Sequence, residues 1–146
     1  MNRRKNETAC NGPRYPIDTN ICISVRRRRS VEVLTRFTRL KSGEAALSLI
    51  TYAELMYGAA KMDPPPLRAS EQLHKFQDMI EVLPLPVEAG RKYGELRAFL
   101  ESKGQTIGNN DLWIAAHAVC ANLTVVTNNE REFQRVPELK IENWTK

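Results

Sequence analysis

Residues 107–129, IGNNDLWIAAHAVCANLTVVTNN, decide the fold. They read as a loop, a buried helix, a turn, a buried strand and a second polar loop. Asn109 or Asn110 can cap the helix, because a short side-chain oxygen at that place satisfies a backbone N–H left without a helical partner. Asp111 then falls in the first turn, where the helix dipole favours its ionised form and suits it to holding a cation rather than taking a proton. From Leu112 to Val119 almost every residue is apolar, and Ala115, Ala116 and Ala118 permit close approach, so this helix is expected to be covered on more than one side. Leu123 to Thr127 is apolar and β-branched with little alternation, the pattern of a strand buried on both faces of a parallel sheet. It stops abruptly at Thr127, Asn128 and Asn129.

Upstream of this unit, strands and helices alternate. Residues 1–14, MNRRKNETACNGPR, offer almost nothing to a core and read as a disordered tail, which leaves one domain over 15–146. Tyr15 to Asp18 is a short strand in which Pro16 either takes the first position or distorts the pairing, since proline lacks a ladder donor. Ile21, Ile23 and Val25 continue into a short helix before Arg26 to Arg29. Ser30 caps a second helix through Val31, Leu34, Phe37 and Leu40, ended by Gly43. Ala45 to Ile50 is a buried strand, and Thr51-Tyr-Ala-Glu54 has capping-box spacing, opening a helix to about Ala60. After Pro64 to Pro66, a helix is expected over residues 67–80, a strand over Val82 to Leu85, and an amphipathic helix from Val87 to Lys103 stopped by Gly104. Asn129 to Glu132 offers a short helical turn, and Lys140 to Trp144 a last strand. Such alternation implies a mainly parallel sheet with right-handed crossovers.

Composition narrows the class further. The chain has 146 residues, enough for one α/β domain with a real core. Its net charge of +5 and pI near 9.3 favour a polyanionic partner. Cys10, Cys22 and Cys120 share no CxxC spacing, which argues against a disulfide framework or zinc knuckle and for a reducing compartment, the cytoplasm. No apolar run approaches the roughly 20 residues that cross a bilayer, and the basic start lacks the apolar segment of a secretory signal.

In sheets of this kind, sites form beyond the carboxyl ends of the strands. Asp18, Glu54, Asp111 and Asn128 each follow a strand or open a helix on that side. Clustered carboxylates repel one another unless a cation neutralises them, and Mg²⁺ or Mn²⁺ takes oxygen ligands. A metal so held can activate water and stabilise charge on a phosphoryl oxygen, so three acids without a nucleophilic side chain make a workable phosphodiesterase site. Each acid also has a plainer reading: Asp18 in a turn with Thr19 and Asn20, Glu54 as capping-box partner of Thr51, Asp111 as a first-turn acid. His117 and Cys120, at i and i+3 on a buried helix, read as packing rather than a zinc pair, since no further ligands accompany them. Trp113 and Trp144 read as packing residues. Arg26 to Arg29 fits RNA phosphate, a solvated face or a protein contact equally well.

Four motifs, YPIDTNICI around Asp18, SLITYAELMYGAAK around Glu54, IGNNDLWIAAHA around Asp111 and LTVVTNNEREFQRVPELKIENW at the end, together resemble PIN-domain ribonucleases and are closely similar to VapC-type toxins of bacterial toxin–antitoxin pairs. The resemblance runs in order from Tyr15 to Lys146. It implies a three-layer α/β/α fold and RNA cleavage dependent on Mg²⁺ or Mn²⁺, leaving 5′-phosphate and 3′-hydroxyl ends. By motif match Asp18 and Asp111 are implied metal ligands, Glu54 completes the acidic site, and Asn128 fills the fourth position. It further implies an RNA substrate, tRNA among the possibilities, a VapB-like antitoxin that presents an Arg or Lys to the acids, and a homodimer, for which helices around Leu55 to Ala60 and residues 67–80 are the contact expected here.

Two departures from the family pattern stand out. Asn128 replaces an acid, which leaves the quartet one charge short unless Glu130 or Glu132 compensates. Pro16 replaces an ordinary apolar strand residue beside Asp18. Both features would suit a rival reading, a PIN-like RNA-binding or regulatory module with weakened catalysis. A second rival, a signalling receiver, would need an acid ending the third strand, and Val82-Leu-Pro-Leu-Pro86 supplies none.

Overall fold

The computed structural model describes residues 15–27, 29–61 and 80–146. The tail expected over 1–14 and all but the end of the helix expected over 67–80 lie outside the described residues. The described elements, in chain order, are β1 (Tyr15–Pro16), α1 (Thr19–Arg27), α2 (Val31–Thr38), β2 (Ala45–Ser48), α3 (Leu49–Ala60), β3 (Glu81–Leu83), α4 (Glu88–Ser102), α5 (Asn109–Cys120), β4 (Thr124–Val126), α6 (Glu130–Phe133) and β5 (Lys140–Glu142).

All the pairings are parallel: β1 with β2, β2 with β3, and β4 with β5. The two groups meet at a single bridge, Ile17 to Val126, which makes the spatial order β3-β2-β1-β4-β5. Pro16 explains why the seam is so thin. Tyr15 N donates to Glu44 O at 2.7 Å and Ile17 N to Ala46 O at 3.0 Å, both toward β2. Alternation then turns position 16 toward β4, where proline has no hydrogen to give, and the ladder resumes only with Asp18 N to Val126 O at 2.8 Å. Proline therefore occupies a paired strand and removes one rung beside the first acid.

The strand pleat sorts the core into two layers. Ala45 and Leu47 face α1 and α2 in a cluster with Ile17, Ile21, Val33 and Trp144. Ala46 faces the other way, joining Leu96, Leu100, Leu112, Ala115 and Phe133. Val126 and Val125 divide between the same two clusters. The small residues of α5 are buried, Ala115 and Ala116 completely, and let that helix sit directly on the sheet.

Several boundaries move relative to the sequence reading. Ser30 caps α2, accepting from Val33 N at 3.3 Å, but the helix ends at Thr38, and Gly43, with φ of 90°, belongs to the turn before β2. β2 stops at Ser48, whose hydroxyl caps α3 by accepting from Thr51 N at 3.0 Å and donating to Thr51 Oγ1 at 3.1 Å. Thr51 is thus a buried first-turn residue and not the cap, which releases Glu54 from capping duty. Ser48→Ala removes both bonds in a buried setting and is expected to cost about 2 kcal/mol; a urea titration of wild type and variant measures it.

Candidate active site

Asp18 follows β1 at the centre of the sheet, and its buried carboxylate is held by two donors. Thr19 N donates to Oδ1 at 2.9 Å, and Thr127 Oγ1 donates to Oδ2 at 2.8 Å from the end of β4. The Thr127 hydroxyl in turn accepts from Asn129 N at 2.9 Å. Burial pushes the Asp18 carboxyl up, opposed by these two donors.

Glu54 lies one turn beyond Thr51 on α3, half-buried, and accepts from Thr19 Oγ1 at 3.2 Å. Burial raises its pKa, the Thr19 bond lowers it, and the Asp18 charge raises it again. Thr19 therefore bridges two acids, Asp18 at the end of the first strand segment and Glu54 on α3, with its backbone N–H on one and its hydroxyl on the other. Its side chain was not singled out in the sequence. The signal for it is local: a hydroxyl immediately after a strand-end acid, at the first position of a helix.

Asp111 lies in the first turn of α5, as its spacing predicted, but its charge state differs from the expectation. The dipole argument favoured an ionised carboxylate, whereas Asp111 is pushed up to about 7 by burial first, then by a hydrogen bond with Glu132 and by the charges of Asp18, Glu132 and Glu54. The hydrogen bond with Glu132 is one that the protonated Asp111 carboxyl can donate, which is why it favours the neutral form. The cap of α5 is Gly108, without any side-chain bond, so neither Asn109 nor Asn110 plays the expected role. Asn109 instead pairs with the Tyr93 phenol of α4. Tyr93 also accepts from Arg97 Nη1 at 3.0 Å and stacks on Trp113 with ring centroids 4.0 Å apart. This chain of contacts braces the turn that carries Asp111.

Asn128 is exposed and makes no hydrogen bond to the acids. Thr127 N still donates to Glu142 O at 3.0 Å, so Thr127 is the last residue of the ladder, and Asn128 projects one step beyond it. The residue that approaches Asp111 is Glu132, steadied by Asn129 Nδ2 at 3.1 Å. Glu130 faces elsewhere: it pairs with Lys146 at 2.9 Å and accepts from Asn143 Nδ2 at 3.3 Å. Positions i and i+2 of a helix diverge, which lets α6 send Glu132 to the acids and Glu130 to the carboxyl terminus. His117 is buried on α5 with its Nδ1 unpartnered among the described residues, and Cys120 Sγ donates to its carbonyl at 3.4 Å, consistent with packing rather than a metal pair.

Asp18, Glu54, Asp111 and Glu132 thus come from four separate segments, and the charges of the other three act on Asp111. Among the described residues, no ion pair neutralises any of them. Nor do any three acids, histidines or cysteines stand close enough to hold an ion together as they are. A magnesium-sized ion needs only one or two direct carboxylates and keeps several of its waters, so this all-oxygen, charge-rich donor set fits a hydrated divalent cation.

A family model described as PIN domain matches residues 15–139. The chain is 41% identical over 133 residues to a protein named Ribonuclease VapC2 from Rickettsia felis, covering 90% of this chain and 98% of that protein. It is 38% identical over 132 residues to the tRNA(fMet)-specific endonuclease VapC of Shigella flexneri, again covering 90% and 98%. Among solved structures, VapBC from Salmonella typhimurium bound to DNA matches with a TM-score of 0.83 at 38% identity, over 91% of this chain and 99% of that one. VapBC2 from Rickettsia felis, bound to a fragment of its promoter, matches with a TM-score of 0.81 at 39% identity, over 89% and 98%. With its three-layer fold and its acids gathered at the carboxyl ends of parallel strands, the chain belongs to the PIN domain family, among the VapC ribonucleases.

Proposed function

We propose that this chain is the toxin of a toxin–antitoxin pair, a divalent-metal-dependent endoribonuclease that cuts RNA at the site formed by Asp18, Glu54, Asp111 and Glu132. The observation that carries this reading is the set of mutually repelling carboxylates, one of them with its pKa near 7, in a protein of basic overall charge. The Thr19 and Thr127 hydroxyls of the site are committed as donors to Glu54 and Asp18. The attacking group is therefore water: its oxygen bonds to phosphorus, the P–O3′ bond breaks, and the leaving 3′ oxygen takes a proton. A bound Mg²⁺ or Mn²⁺ would supply charge stabilisation on the phosphoryl oxygens and acidify the attacking water.

The residues of the chain have distinguishable parts in this. Asp18 and Asp111 are the proposed direct ligands, the first fixed by two threonine-derived donors and the second by the brace on α5. Glu54 is free to orient water or a ligand water. Glu132, one of the two acids the sequence offered in compensation for Asn128, supplies the fourth charge in this reading, supported by its hydrogen bond with Asp111. Thr19 and Thr127 hold the acids without contributing charge, which limits the repulsion that the folded chain must carry.

The relatives' names point to tRNA as the first substrate to test and to a VapB-like antitoxin as the inhibitor, encoded nearby, whose Arg or Lys would replace the cation at the acids. Access to RNA during growth places the activity in the cytoplasm. The test is cleavage of total tRNA by purified protein in a Mg²⁺ titration, with EDTA as the control. Cleavage is expected to rise with Mg²⁺ and vanish in EDTA. Cleavage that persists in EDTA removes the metal from the proposal, and none under any condition favours a module with weakened catalysis.

A further inference from the structure

A groove leads away from the acids between α1 and α3. Glu54, Tyr57, Gly58 and Lys61 follow one another at i, i+3, i+4 and i+7, so they share one face of α3 and its capping residue over about 10 Å. With Thr19 and Arg27 of α1 they line a cavity of about 460 Å³. The polarity along it is ordered. At one end Thr19 and Glu54 belong to the acid site, and at the other stand two exposed cations, Arg27 and Lys61. Between them Tyr57 is 67% exposed, with Lys61 Nζ 5.1 Å from its ring centre.

Gly58 is the second observation. A glycine inside a helix costs about 1 kcal/mol against alanine, so Gly58 does not serve helix formation. A Cβ built there meets nothing within 4 Å among the described residues. The space it leaves is in the groove.

We propose that this groove is an RNA subsite beside the cleavage position, in which the nucleotide next to the scissile phosphate lies over Gly58, stacks its base on Tyr57 and sets its outer phosphate between Arg27 and Lys61. The inference rests on the nuclease reading above, because it takes its direction from a phosphate held at the acids. A single strand offers the order the groove asks for: a cation-bridged phosphate at the carboxylates, an aromatic face next, and another phosphate at the basic end. An acidic peptide would match only the basic end and be repelled at the other.

The experiment is fluorescence anisotropy with a labelled, mixed-sequence single-stranded RNA dodecamer, in EDTA and again with Ca²⁺ in place of Mg²⁺ so that a cation can bridge phosphate and acids, at several salt concentrations and over a time in which no cleavage product forms. Tyr57→Ala is expected to weaken binding roughly tenfold while Tyr57→Phe preserves it. Gly58→Leu, which fills the groove, is expected to weaken it at least as much without lowering the melting temperature. The double variant Arg27→Ala with Lys61→Ala is expected to flatten the salt dependence by about 1.4 in the log–log slope, about 0.7 for each lost phosphate contact. Affinities within twofold of wild type for Tyr57→Ala and Gly58→Leu overturn the proposal. So does a result in which these variants keep RNA affinity but no longer co-purify with a co-expressed antitoxin, or become monomers where the wild type is a dimer, since either would make the groove a protein interface. Wild-type protein that binds RNA through these residues yet cleaves none overturns the nuclease reading and leaves the subsite standing. Wild-type protein that neither binds RNA in Ca²⁺ nor cleaves it in Mg²⁺ overturns both.

Discussion

Asp111→Asn is expected to reduce RNA cleavage by at least about a thousandfold, equivalent to about 4 kcal/mol of transition-state stabilisation, and at the same time to raise the melting temperature of the metal-free protein at pH 8. The two effects have one cause. Burial and the charges of Glu132, Asp18 and Glu54 raise the Asp111 pKa to about 7, so an ionised Asp111 works against the folded state until a cation arrives. Between the ordinary carboxylate range and pH 7 the folded protein keeps a proton that the unfolded chain has lost. Stability from this group is complete below that range, declines as pH rises through it, and is gone above about pH 7. Asp18 and Glu54 are shifted in the same direction and steepen the decline. Asp111 is partly exposed, so solvent screening reduces its share to about 1–2 kcal/mol. Asparagine carries no charge and can still donate to Glu132. Thermal melts of both proteins at pH 5.5 and pH 8, with EDTA, check the stability half: the wild type loses stability across the interval and Asp111→Asn loses less. Unimpaired cleavage in the variant would remove Asp111 from the site.

Metal has the opposite pH dependence. Binding requires the deprotonated acids, so Mg²⁺ competes with the proton on Asp111 and is held more tightly as pH rises through about 7. Because a ligand that binds only the folded state stabilises it by mass action, Mg²⁺ should raise the melting temperature more at pH 8 than at pH 6. On the proposed metal site, the metal-free protein would be least stable under the conditions in which it should bind metal best.

The extent to which the sequence disclosed this site follows from the range over which each signal acts. The apolar run of α5 and the β-branched run of β4 depend on burial alone, and burial is written in residue type, so both elements and their parallel setting were legible. Capping is a contest between neighbours only a few residues apart. Ser48-Leu-Ile-Thr51 and Thr51-Tyr-Ala-Glu54 have equivalent spacing, and the choice between them is made by how far β2 stays paired, with Ser48 opposite Leu83 of β3. No local pattern contains that register. The charge of Asp111 lies further out of reach, since the groups that oppose it come from Asp18, Glu54 and Glu132, on other segments. The helix dipole, the only local influence, points the other way and is outweighed. Pro16 shows the converse: its missing hydrogen was evident from residue type, yet which strand would lose the bond depended on the direction of positions 15 and 17.

The fourth position of the site offers the sharpest test of this reading. Glu132→Gln is expected to lower cleavage by about a hundredfold or more, on the scale of losing one preorganised charge at a reacting phosphoryl group, whereas Asn128→Ala should stay within about threefold of wild type because its exposed side chain bonds to no acid. Glutamine keeps the size of Glu132 and can still accept from Asp111 and from Asn129, so the fold around α6 should survive. Apparent Mg²⁺ affinity separates a charge effect from a packing effect. Glu132→Gln should raise the Mg²⁺ concentration needed for half-maximal cleavage while leaving the melting temperature of the metal-free protein equal or higher, since it too relieves repulsion on Asp111. Asn128→Asp supplies the complementary arm. If the acid belongs at 128, that variant alone should lower the Mg²⁺ requirement and rescue Glu132→Gln; if Glu132 already provides the charge, Asn128→Asp leaves the requirement unchanged and rescues nothing. A full rescue would return the fourth ligand to position 128 and reduce Glu132 to a support for Asp111.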